Sequence, residues 1–117
     1  MRNKYNFNEA YTPKHMEIHI SDWDRLSIQF SKMFQHLGEV TITEEHISYT
    51  SIIPDVATAM MLTKDGKLVA SMPLHNIDSQ FEVVIFDDSL ESIRLLGSTF
   101  DYTYTVPMEI LQLRGNL

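Results

Sequence analysis

The chain has 117 residues, the size of one domain, and its composition is ordinary for a globular protein: 44% hydrophobic, 21% charged, with four glycines and four prolines. Nine Lys and Arg against 16 Asp and Glu leave a net charge of −7, which excludes a uniformly basic nucleic-acid binder but not a local basic face. Cysteine is absent, which removes disulfides, thiolate nucleophiles, iron–sulfur clusters and Cys-based zinc sites. Residues 1–14 are rich in Asn and Tyr without sustained periodicity, and Pro13 closes them off. They read as an N-terminal arm, poorly ordered or pinned by Tyr5, Phe7 and Tyr11, ahead of a single α+β domain over 15–117. Met16, Ile18 and Ile20 then alternate with Glu17 and His19, the pattern of a half-buried strand.

Ser21-Asp22-Trp23-Asp24 predicts a helix start with a capping box, Asp24 standing in the usual Glu position. Trp23, Leu26, Phe30, Met33, Phe34 and Leu37 recur at helical spacing, so one amphipathic helix is expected over residues 22–37, with Gly38 as its left-handed stop. From Val40 the period changes to two. Val40 and Ile42, then Ile47 and Tyr49, bracket Glu44-Glu45-His46 as a short hairpin. Pro54-Asp55 breaks the run, and Val56 to Thr63 and Leu68 to Met72 flank the Asp65-Gly66 turn signal. Phe81 to Phe86, Ile93 to Leu96 and Phe100 to Val106 read as further strands, and Met108 to Leu113 as a weaker terminal strand. The expected architecture is α+β: a largely antiparallel sheet of about eight strands with one helix packed on it.

No apolar run approaches the roughly 20 residues that span a bilayer. No apolar core of a signal peptide is present near the N-terminus, so the expectation is a cytoplasmic protein without membrane partners. His15 and His19 have zinc-pair spacing for a helix, but on a strand they stand about 13 Å apart, and exposed strand histidines are the better reading. Asp87-Asp88 and Glu44-Glu45 are paired acids at turns, where solubility and local capping explain them. Ser71 precedes His75 by four residues without a nucleophile elbow or a Gly-rich oxyanion loop, and no phosphate-binding glycine pattern exists. Met33, Met60, Met61 and Met72 read as core fillers. The expectation is therefore a non-enzymatic protein without cofactor or metal. The suggestive feature is the outer face of the helix, where Arg25, Gln29, Lys32 and His36 line up and none is acidic. Such a row can meet phosphates without reading bases.

The order of elements, with MEIHI, a helix ending in MFQHLGEV, the hairpin TITEEHISYTSIIPDVATAMML and the closing run FEVVIFDDSLESIRLLGSTFDYTYTVPMEI, resembles one domain of the DNA sliding-clamp family over about residues 16–110. The family's acidic hairpin stands here as Thr43-Glu44-Glu45-His46-Ile47, with His46 in place of the usual glycine. Its closing strands stand as Ile93-Arg94-Leu95-Leu96-Gly97 and Phe100 to Pro107, while His75 to Gln80 is short for the family's second helix. The resemblance implies that several copies assemble edge to edge. It also implies that Arg25, Gln29, Lys32 and His36 line a hole and touch duplex DNA backbone. A shorter stretch, ATAMMLTKDGKLVASMPL, is similar to the central hairpin of roadblock-type dimerisation modules, but a strand pattern follows it here where those modules place a long helix. The alternative to a clamp-like homo-oligomer is a small protein-interaction domain that pairs with a partner protein through an edge strand such as Met108 to Leu113.

Overall fold

The computed structural model describes residues 15–52, 58–70 and 80–116. The arm at 1–14, the break at Pro54-Asp55, and Ser71, Met72 and His75 lie outside the described residues. In chain order the elements are β1 (His15–His19), α1 (Trp23–Phe34), β2 (Gly38–Ile42), β3 (His46–Ser51), β4 (Ala59–Thr63) and β5 (Leu68–Ala70). There follow β6 (Val83–Asp87), β7 (Ser92–Leu96), β8 (Asp101–Thr105), α2 (Met108–Leu111) and a 3-10 helix (Gln112–Asn116).

The eight expected strands are present, but they form two four-stranded sheets rather than one. β1-β6-β7-β8 make the first and β2-β3-β4-β5 the second, with every pair antiparallel. The second sheet is a run of sequential neighbours, Val40 facing Tyr49 and Tyr49 facing Met60. The first is closed by β1, which pairs across the chain with β6, Ile18 opposite Val84. Two sheets let each strand bury one face in a common core, as the period-two pattern requires. Ile47, Tyr49, Met60 and Leu62 enter it from the second sheet, Val84, Phe86, Ile93 and Leu95 from the first.

Five of the six expected apolar residues, Trp23, Leu26, Phe30, Met33 and Phe34, give α1 its buried stripe, and the sixth, Leu37, is buried just beyond the helix end. Phe34 joins the two sheets, stacking on Tyr49 at 4.2 Å between ring centroids and tilting against Tyr104 at 6.1 Å. The ends of α1 differ from expectation. The cap residue is Asp22, without a side-chain cap bond, and Ser21 Oγ bonds His19 Nδ1 at 3.0 Å instead. The helix ends at Phe34, and the left-handed residue of the exit turn is His36, with φ 69°, rather than Gly38. Gly38 opens β2 for another reason. A Cβ there would drive into the Thr50 carbonyl oxygen and lie 2.8 Å from the Tyr49 ring, so glycine permits the close pairing with β3.

The largest correction lies at the C-terminus. Met108 to Leu113 is helical, as α2 and the start of the 3-10 helix, and not a strand. Pro107 stands at its cap, and Ile110 and Leu111 amides donate to the Pro107 carbonyl at 2.9 and 3.0 Å. Met, Glu, Leu and Gln are good helix formers, and Pro at a helix start is favourable. No helix among the described residues is long and apolar enough to cross a membrane.

Candidate functional surface

The outer face of α1 presents Arg25 and Lys32 exposed to solvent and Gln29 half-buried beside them. His36 is also exposed, but it lies beyond the helix end, so the row follows the helix only as far as Lys32. The row is not purely cationic. Gln29 and Lys32 share a cleft of about 440 Å³ with His15, Asp87 and Asp88. Asp87 is occupied within its own turn: its Oδ1 accepts from the amides of Glu91 at 2.8 Å and Ser92 at 3.0 Å, and its Oδ2 from the Ser89 hydroxyl. Asp88 is exposed on the same turn, so the field of Lys32 is partly offset.

The spacing of cations passes over Ile28. It stands three residues after Arg25 and four before Lys32, at the edge of that row, and is 63% exposed. It forms one wall of an open groove of about 810 Å³. Trp23 and Ser27 continue that wall from α1, and Ile42 and Thr43 close the other side from the end of β2. Asp24, Glu44 and Lys64 stand at the rim, all exposed. The Trp23 indole donates to the Thr43 carbonyl at 3.3 Å and ties the helix start to the β2–β3 turn. Thr43 Oγ1 in turn accepts from the amides of Glu45 and His46, which fixes the acidic turn. Ser27 is 7% exposed, and its hydroxyl is buried without a hydrogen-bond partner among the described residues. A hydroxyl in that state costs about 1–3 kcal/mol.

The remaining candidates have local partners. His15 Nε2 lies 3.3 Å from Glu17 Oε2, and His19 pairs with Ser21. Among the described residues, no three His, Cys, Asp or Glu side chains converge on a common point. Met33 and Met60 fill the core as expected, and Met61 is half-buried. Two interactions escaped sequence reasoning because they join residues from different elements. Arg94 forks onto Asp101 across β7 and β8, at 2.9 and 2.7 Å, which holds the guanidinium pKa up and the carboxyl pKa down. Arg114 reaches from the 3-10 helix to carbonyls of α1 and the β6–β7 turn. Burial raises the pKa values of the Tyr49, Tyr102 and Tyr104 phenols.

No protein-family model, curated protein or solved structure matches this chain. Function is therefore argued from the surface itself.

Proposed function

We propose that this chain is a non-catalytic module resembling one domain of a DNA sliding clamp, which self-associates and contacts nucleic-acid backbone through Arg25, Gln29 and Lys32 of α1, with His36 at the helix exit. The observation that carries the reading is the outward direction of that row: Arg25 and Lys32 are free of the protein's own sheets and open to solvent. The order strand, amphipathic helix, four strands, three strands also agrees with the resemblance. Two cations and an amide donor touch phosphates without discriminating bases, and the chain's net charge of −7 limits collapse onto DNA.

The test compares nicked circular with linear duplex. An assembled ring is retained on circles and lost from free ends, and Arg25→Glu with Lys32→Glu abolishes retention. A protein that stays monomeric at high concentration and ignores both substrates overturns the reading.

A second reading, a protein-interaction domain, draws support from Ile28. An exposed isoleucine at the edge of a phosphate-contacting row has no phosphate to meet, whereas an apolar centre with a charged rim, as in the groove that Ile28 lines, is the anatomy of a protein interface. The Met108 to Leu113 segment is helical and offers no strand edge for that role.

A further inference from the structure

We propose that the groove between the start of α1 and the β2–β3 turn is a two-fold self-interface that seats a second copy of this chain. The interface stands apart from the clamp-like reading and needs no nucleic acid.

The groove has an apolar part: Ile28 at 63% exposure and Ile42 at 47% line it together with the buried Trp23. Both are large side chains left in water at adjoining positions of two different elements, where burial against a partner is favourable. The rim selects the partner. Asp24 and Glu44 supply negative charge and Lys64 positive charge around the same groove. A surface that carries both signs beside an apolar centre is complementary to itself under a two-fold axis, which sets Lys64 of each copy against the carboxylates of the other. The net charge matters here as well. A chain at −7 repels its own copies in general, yet the rim of this groove carries Lys64 as well as Asp24 and Glu44, so two copies meeting here pair opposite signs. A purely basic or purely apolar partner would leave one sign of the rim unpaired.

At 100° per residue, Asp24, Ser27 and Ile28 occupy the flank of α1 next to the one carrying Arg25, Gln29 and Lys32, so a seated copy leaves that row open.

The experiment is the molecular mass of the full chain in solution, measured by sedimentation equilibrium from micromolar to millimolar concentration. Through this groove the wild type is expected to rise from one chain mass to at least two. Ile28→Gln with Ile42→Thr alters two exposed side chains and is expected to weaken association by on the order of a hundredfold while the circular dichroism spectrum is unchanged. Lys64→Glu alone, and Asp24→Lys with Glu44→Lys alone, are each expected to remain monomeric. Mixing those two charge variants is expected to restore a dimer, because both cross-contacts then pair opposite signs. A wild type that stays monomeric, isoleucine variants that associate like the wild type, or a mixture that fails to recover the dimer each overturns the interface. Retention on nicked circles, scored separately with the Arg25 and Lys32 variants, reports on the clamp-like reading: a wild type that associates without being retained fails that reading alone, and retention by isoleucine variants that associate like the wild type fails the interface alone.

Discussion

Tyr49 is enclosed on all sides, at 0% exposure, with Phe34 stacked on its ring and its hydroxyl donating to the Leu37 carbonyl at 3.1 Å. Burial first, and the neighbouring Tyr104 second, push its phenol pKa from 10.0 up to about 12. A folded state that holds this proton more tightly than the unfolded chain gains stability that is complete below pH 10.0 and fades as pH rises to about 12. Tyr49→Phe removes both the hydrogen bond and the titration. The variant is expected to be less stable than the wild type by about 1 kcal/mol near neutral pH. Its urea midpoint should then fall less steeply than the wild type's between pH 10.0 and about 12. Equal slopes for the two proteins across that window would refute the assignment. At this scale the sequence reveals which residues are buried, since Tyr49 sits on the inward phase of an alternating strand. It does not reveal why a glycine is a glycine. Gly38 follows a helical stripe and so reads as a stop, yet its role depends on the Thr50 carbonyl, which only the β2–β3 register brings near. His36 takes the positive φ, and no local pattern marks it.

Among elements, the C-terminal helices depend on a residue that carries no sequence signal. The Arg114 guanidinium donates to the carbonyls of Met33 and Leu90, each at 2.7 Å, and of Ser89 at 3.2 Å. Met33 lies in the last turn of α1, where unpaired carbonyls and the helix dipole favour a cation. Leu90 has a positive φ of 58°, so the same side chain braces a strained turn. Arg114→Ala is expected to cost about 2–3 kcal/mol, the range for charge-assisted hydrogen bonds, read as a lower denaturation midpoint. Arg114→Lys is expected to recover little of it, because one ammonium group cannot fork across carbonyls from two elements. Full recovery by lysine would reduce Arg114 to a point charge. The strand reading of Met108 to Leu113 failed for a related reason. MEILQL has short apolar spacings compatible with either period, and the choice falls to Pro107 and to the packing of Ile110 into the core. The candidate groove was hidden similarly. The cationic spacing along α1 was legible, but Ile28 matters only beside Ile42, which arrives from another element.

For the whole molecule, alternation predicts eight strands but cannot assign them to sheets, because period two is blind to which strand lies alongside. β5 and β6 do not pair, which divides the strands, and β1 finds β6 rather than its nearer neighbours. The division is architectural without being a division of the core. The buried residues of α1 and both sheets form a single cluster. Phe34 contacts Tyr49 in one sheet and Tyr104 in the other, and Thr58 Oγ1 meets the Tyr104 hydroxyl at 3.0 Å. The Phe81 amide, just before β6, adds a hydrogen bond to the Gly66 carbonyl in the β4–β5 turn. Unfolding one sheet would expose the buried faces of the other, so cooperative loss of both is expected. The chain's one tryptophan makes this measurable, since Trp23 is buried at 6% exposure and bonds Thr43 at the margin of the second sheet. Its emission therefore follows α1 and the β2–β3 turn, while far-ultraviolet circular dichroism follows all the strands. The two urea transitions are expected to superimpose, with the same midpoint and the same slope. A tryptophan transition that precedes the loss of strand signal would mean that the second sheet parts from the first, and that the contacts of Phe34 and Tyr104 are too weak to make one cooperative unit of two sheets.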